Sequence, residues 1–158
     1  MKIKQSRKLI RGNITLRNQA FLTIMSKSSN VGLARLAVAT FASELDFTLN
    51  ELEEIKVAIS EAVTNSVIHG YPDKVGKIDI KMTINEEELE VKITDYGVGI
   101  KDIEAVLQPS YSTKKEHMGL GLAFIDSFMD QFDIESDCGQ GTQIKMTKKP
   151  VALQKVAD

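Results

Sequence analysis

The chain has 158 residues and a mass of 17.5 kDa, a size typical of a single domain. Its content of 42% hydrophobic and 27% charged residues is ordinary for a soluble globular protein, and no apolar run approaches the roughly 18 residues of a membrane span. Cys138 is the only cysteine, which excludes an internal disulfide and favours a reducing, cytoplasmic location. A structural zinc site and a secretion signal are not expected.

The charge is distributed unevenly along the chain. Residues 1–43 contain eight Lys/Arg and no Asp/Glu, whereas the remaining residues contain 12 Lys/Arg and 22 Asp/Glu. This basic N-terminal region could contact an acidic partner or nucleic acid, or it could be a solvated tail. We expect a solvated tail for the first dozen residues.

Hydrophobic periodicity predicts the elements in chain order. They are strands at 14–16 and 20–25, helices at 31–45 and 50–69, strands at 77–84 and 89–94, a short helix at 101–107, a helix at 119–130, and strands at 132–136 and 143–147. Helices follow helices and hairpin strands follow each other. This order predicts an α+β two-layer sandwich, with helices on one face of a mixed, mostly antiparallel sheet.

The predicted helix at 50–69 carries two polar residues in an otherwise apolar or small pattern. We expect Asn50 to cap it in a capping box with Glu53, and Gly70 to end it. Glu61 and Asn65 are four residues apart and therefore lie on one face. A carboxylate and a carboxamide in this position require a wet or ligand-filled cleft, although a solvated stripe would look the same.

A glycine-bearing loop follows the strand predicted at 89–94. Its pattern is Asp95-x-Gly97-x-Gly99. The glycines allow the backbone to approach a flat ligand closely, and an Asp at a strand end can accept a hydrogen bond from an exocyclic amine such as that of adenine. The alternative is a β-turn with an Asp cap.

A second glycine pair, Gly119-x-Gly121, stands at a predicted helix start, where free backbone N–H groups favour phosphate. It could also be a flexible joint between a loop and a helix. The preceding stretch 112–115, with sequence STKK, has the composition of a lid over a polyanion, or of a mobile basic loop. The P-loop pattern and the complete G-x-G-x-x-G pattern are both absent.

The order of these motifs resembles the GHKL ATPase superfamily, which includes gyrases and histidine kinases. The sequence segment SEAVTNSVIHGY, together with STKK and SFMD, is similar to the corresponding segments of anti-sigma-factor kinases of the sporulation anti-sigma-F type. The resemblance extends over about residues 24–148. The resemblance implies a Bergerat-type ATP-binding fold and a cytoplasmic serine kinase that uses ATP and Mg²⁺. It also implies inhibition of a sigma factor, phosphorylation of a STAS-type anti-anti-sigma protein, and a homodimer with no direct contact to nucleic acid or membrane.

The resemblance also implies roles for individual residues. Asn65 would bind Mg²⁺, Glu61 would be the general base, and Asp95 would read the adenine amine. The remaining positions are Gly97, Gly99, Gly119 and Gly121 in the nucleotide cleft, Thr113 and Lys114 in the lid, and Arg35 as the contact to sigma factor and antagonist.

The sequence departs from the family pattern in the lid. His117 takes the place of the family's lid arginine, and the lid is about two residues shorter, so the contact made by that arginine is not carried over. His69 is interpreted as a structural histidine at a helix end. The expected domains are a flexible extension at 1–15, a kinase domain at 16–149 and a loose tail at 150–158.

Two other functions remain open. The first is a nucleotide-dependent sigma-binding module without kinase activity, and Glu61 argues against it because binding alone needs no base. The second is the catalytic domain of a histidine kinase, which is disfavoured because we find no preceding pair of helices bearing a phosphorylatable histidine.

Overall fold

The computed structural model describes residues 2–3, 15–108 and 113–154. One sheet has the strand order β1-β5-β6-β4-β3-β2, and every pairing in it is antiparallel. The strands are β1 (Lys2–Ile3), β2 (Leu16–Met25), β3 (Lys77–Asn85), β4 (Glu88–Asp95), β5 (Gln131–Asp137) and β6 (Gly141–Lys148). The helices are α1 (Val31–Ala42), α2 (Leu49–Asn65), α3 (Ile103–Leu107), α4 (Thr113–Phe128) and α5 (Val151–Gln154).

The core lies between the sheet and the three longer helices, with α2 packed between α1 and α4. A row of isoleucines crosses the sheet in register. Ile134 lies opposite Ile144, Ile144 opposite Ile93, and Ile93 opposite Ile80. Their side chains are buried against α2, as are the alternate residues that the period-two pattern places on the same face. The predicted α+β two-layer sandwich is therefore confirmed.

The start of α2 differs from the prediction. Thr48 is the N-cap: its hydroxyl accepts a hydrogen bond from the Glu51 N–H at 3.2 Å, and its own N–H donates to Glu51 Oε2 at 2.8 Å. The sequence fits a capping box at 48–51 as well as at 50–53, and Thr48 has the extended backbone that a cap requires. Asn50 lies inside the first turn, where its amide contacts Glu54.

The other end of this helical segment lies at Gly70 as predicted, but its last turn is not α-helical. The α-helix ends at Asn65 and continues as one π-helical turn, Ser66–Gly70. Ile68, part of the apolar pattern of the predicted helix, is exposed in this turn. π-Helical turns frequently occur at functional sites because the extra residue changes which side chains face a neighbouring element.

Several boundaries elsewhere were misplaced. The strands predicted at 14–16 and 20–25 form one strand, β2. Helix α4 begins at Thr113, six residues before Gly119, because the run of Lys, Lys and Glu at 114–116 favours helix. The glycine pair therefore lies inside a helix, not at its N-terminus.

The two terminal segments differ in part from the expectation. Lys2–Ile3 pairs with β5, and residues 4–14 of the predicted extension lie outside the described residues. Residues 151–154, expected to be loose, form the short helix α5, because the Val151 N–H donates to the buried Glu51 carboxylate at 2.7 Å. In the part of the chain that the structure describes, no helix is long and apolar enough to cross a membrane.

Candidate functional site

A cavity opens between the C-terminal end of α2, the end of β4 and the start of β6. Its polar lining comes from Asn65, Ser66, His69, Asp95 and Thr142. Its apolar lining comes from Ile100, Leu122, Ile134 and Ile144. A lining of both polar groups and apolar side chains is what a flat heterocycle with a few hydrogen-bonding atoms requires.

Asp95 is the buried carboxylate of this cavity, at 3% exposure. Its Oδ1 accepts hydrogen bonds from the Gly97 N–H at 3.1 Å and the Thr142 N–H at 3.2 Å, and its Oδ2 accepts one from the Ser66 hydroxyl at 2.9 Å. Burial raises the pKa of the Asp95 carboxyl above its ordinary value, and these three donors oppose that rise only in part. The structure thus holds an acceptor in fixed orientation at the cavity floor.

The loop after Asp95 lies directly on the end of α2. The Val98 N–H donates to the Gly70 carbonyl at 2.9 Å, and a Cβ on Gly97 would lie 1.9 Å from the same oxygen. Gly99 has φ +72°, and a Cβ there would lie 2.2 Å from the Asp137 carbonyl. Both glycines are therefore required where this loop packs against other backbone of the chain, whereas the sequence predicted close approach to a flat ligand.

Glu61 and Asn65, in the last two turns of α2, face α4 near Gly121. A Cβ on Gly121 would lie 2.8 Å from Glu61 Oε2 and 3.5 Å from the amide atoms of Asn65. Asn65 is 7% exposed, and its Nδ2 has no hydrogen-bond partner within the described residues. An unpaired buried amide is costly, so a ligand or its hydration shell would stabilise this position. Glycine at position 121 lets the two helices approach closely.

The remaining predicted residues are spread over other elements. Gly119 faces α3, where a Cβ would lie 3.3 Å from the Val106 carbonyl. Thr113 and Lys114 form the first turn of α4, and their side chains lie outside the described residues, as does residue 112 of the predicted lid. Arg35 is exposed on α1, away from the cavity, and His69 is half-buried in the π-helical turn.

Sequence reasoning missed three contributors to the site. Ser66 and Thr142 hold the Asp95 carboxylate, and the Tyr71 hydroxyl holds the loop that follows it. Ser66 is adjacent to Asn65 and could have been noticed. Thr142 is 47 residues from Asp95, and no local pattern indicates that contact.

The fold and the site agree with a comparison to known families. Residues 24–148 match the model of the histidine kinase-like ATPase domain. The chain belongs to this family, and membership in a family of ATPases implies a nucleotide site.

Within this family the chain groups with anti-sigma F factors. The anti-sigma F factor of Clostridium acetobutylicum is 45% identical over 136 residues, which are 85% of this chain and 95% of that protein. The anti-sigma F factor of Thermoanaerobacter sp. is 44% identical over 133 residues, which are 83% of this chain and 93% of that protein.

Solved structures support the fold alone. The blue-light activated histidine kinase of Erythrobacter litoralis EL346 matches with a TM-score of 0.54 at 17% identity, over 82% of this chain and 43% of that one.

Proposed function

We propose that this protein is a cytoplasmic anti-sigma factor of the sporulation type that inhibits a sigma factor and uses ATP to phosphorylate a serine of its anti-anti-sigma partner. Identity of about 44% to anti-sigma F factors, over almost their whole length, supports the anti-sigma role. The observation that carries the kinase part is the position of Glu61, one turn before the cavity-lining Asn65 on α2 and beside Gly121 of α4.

Nucleotide recognition divides between the two ends of the site. Asp95 accepts a hydrogen bond from the adenine amine, held in place by Ser66 and Thr142. We assign the loop with Gly97 and Gly99 to the base end of the cleft. We assign α4, which carries Thr113, Lys114, Gly119 and Gly121, to the phosphate end.

Asn65 fits the Mg²⁺ that accompanies ATP. A side-chain amide oxygen is a suitable ligand for Mg²⁺, and the amide of Asn65 is buried beside the cavity, with Nδ2 as the atom that has no partner within the described residues. A 180° rotation of the amide group exchanges its oxygen and nitrogen, and a bound Mg²⁺ would select the orientation with the oxygen toward the metal. The bound ion neutralises phosphate charge during transfer.

Glu61 is placed to act as the general base. It is one turn before Asn65 on the same face, so the serine hydroxyl of the incoming protein meets the carboxylate next to the phosphate end of the cleft. A positioned base of this kind typically contributes about 10²–10⁴-fold in rate. Binding alone would not require it.

Two surfaces suit protein partners. Arg35 is exposed on α1 with Leu33 and Leu36, so a guanidinium and two apolar side chains are available to sigma factor or antagonist. Strand β2 is an edge of the sheet and exposes Leu16, Phe21 and Met25, with Phe21 at 70% exposure. An exposed apolar edge strand of this length suits pairing with a second copy, which supports a homodimer.

The alternative remains a nucleotide-dependent sigma-binding module without kinase activity. Both functions use Asp95 and Arg35, so variants of those residues do not separate them. Glu61 does, because only the kinase requires a proton acceptor at this position.

The deciding experiment replaces Glu61 with Gln, which keeps the size and hydrogen bonding of the side chain but removes its basicity. Single-turnover transfer from labelled ATP to the antagonist should fall at least about 10²-fold, with ATP and sigma-factor affinities unchanged. Glu53→Gln is the matched control, because Glu53 lies on the same helix and pairs with Lys56 at the surface. Normal transfer by Glu61→Gln would refute the base assignment, and no transfer by the wild type would favour the binding module.

A further inference from the structure

Tyr71 stands at the junction of the two segments that form the base end of the cavity. It follows the π-helical turn at the end of α2, and its side chain is 5% exposed. Its ring fills the space beside Gly76, where a Cβ would lie 2.1 Å from the ring. The ring therefore packs inside the loop 71–76.

The hydroxyl of Tyr71 makes two hydrogen bonds to the backbone. It donates to the Lys77 carbonyl at 2.6 Å and accepts from the Tyr96 N–H at 2.8 Å. Lys77 is the first residue of β3, and Tyr96 directly follows β4. The last pair of the β3–β4 ladder is Ile78 with Asp95, so Lys77 and Tyr96 would form the next pair.

The hydroxyl thus takes the place of a direct hydrogen bond between two strand ends. Insertion of this oxygen ends the ladder after Asp95 and turns the chain toward α2, where the Val98 N–H reaches the Gly70 carbonyl. We propose that Tyr71 is a positioning residue for base recognition: its hydroxyl separates the ends of β3 and β4 and so sets the orientation of Asp95 and of loop 96–99.

This inference rests on the proposed role of Asp95 in reading the adenine amine. It adds that the selectivity of the site for that amine depends on an oxygen that does not contact the nucleotide. Without the hydroxyl, the Tyr96 N–H loses its hydrogen-bond partner and the loop shifts on Gly70. In the proposed function the contacts to the phosphates come from α2 and α4, and we expect Tyr71→Phe to leave them unchanged.

Tyr71→Phe is the test, because it keeps the ring beside Gly76 and removes only the hydroxyl. Ser26→Ala is the matched control. The buried Ser26 hydroxyl accepts the Gly76 N–H at 2.8 Å, so this variant loses one buried hydroxyl contact to the same loop 71–76 without touching loop 96–99. Calorimetry with ADP and with IDP, which lacks the exocyclic amine, separates base recognition from general stability.

Tyr71→Phe should raise the Kd for ADP about fivefold to tenfold and the Kd for IDP less than about twofold, so that the preference for ADP falls. Ser26→Ala should leave the preference as in the wild type, although both variants lower the melting temperature. Amide exchange at Tyr96 should become faster in Tyr71→Phe only.

An unchanged ADP preference in Tyr71→Phe, or an equal loss in Ser26→Ala, would overturn the positioning role. A wild type that binds ADP and IDP equally would overturn the assignment of Asp95 in the proposed function. The exchange rate at Tyr96 needs no nucleotide, so a rate that is unchanged in Tyr71→Phe would overturn the positioning role whatever the binding results.

Discussion

Replacement of Asp95 by Asn separates the requirements of nucleotide binding from those of folding. An Asn can keep the two hydrogen bonds that Oδ1 accepts from Gly97 and Thr142, and its amide can donate to the Ser66 hydroxyl, which can act as acceptor. The fold should therefore persist. The acceptor for the adenine amine loses its charge, and a hydrogen bond to a charged group contributes about 1.5–3 kcal/mol. The Kd for ATP should rise about 10- to 100-fold.

The same substitution should not destabilise the protein at neutral pH. Because the pKa of Asp95 is raised by burial, the folded state binds its proton more tightly than the unfolded state does. Stability then falls as pH rises from the ordinary value of 3.8 through the raised folded pKa, and the charged Asp95 is unfavourable at pH 7. Asp95→Asn removes this cost, so its advantage over the wild type should be largest at pH 7 and shrink toward about pH 4.

Urea unfolding at the two pH values measures the stability, and calorimetry measures ATP affinity. Asp79→Asn is a control for which we expect the opposite change in stability at pH 7. Burial would raise the Asp79 pKa, but hydrogen bonds from Thr23, Tyr96 and Lys77 outweigh it and lower the pKa, so this variant should lose stability at pH 7. The reasoning is refuted if Asp95→Asn binds ATP normally, or if it loses stability at pH 7 as Asp79→Asn does.

Two further predictions concern the other predicted residues. Asn65→Ala should abolish the Mg²⁺-dependent part of nucleotide binding, because one oxygen ligand is lost; titrations with and without Mg²⁺ that match the wild type would leave Asn65 without this role. Arg35→Ala should lower affinity for sigma factor and antagonist and leave ATP binding intact, since Arg35 is exposed on α1 away from the cavity; a parallel loss of ATP binding would indicate misfolding instead.

The elements that could be predicted from the sequence are those with a strong local pattern. Alternation marks β3 and β4, where inward residues are buried and outward residues are charged or polar. The face of α2 that carries Glu61 and Asn65 follows from their spacing.

The features that could not be predicted depend on contacts between distant segments, or on which of two equally good sequence patterns the chain uses. Thr48 and Asn50 are both good caps with a Glu three residues later, and only the extended backbone at Thr48 decides between them. Glycine at positions 119 and 121 suggests a helix start, yet both lie inside α4, where Gly121 packs against Glu61. Tyr71 and Thr142 act across the fold, where single-sequence patterns carry no information.

The crossover between β4 and β6 has a consequence for synthesis of the protein. β4 lies beside β3 in sequence, but its other edge pairs with β6, the last strand. While the ribosome is still translating the segment 96–140, the nascent chain leaves that edge of β4 open, although Leu89, Val91 and Ile93 are at most 1% exposed in the finished fold. The Thr142 donor to Asp95 arrives at the same moment, so a nucleotide cannot stabilise the domain until β6 has been synthesised.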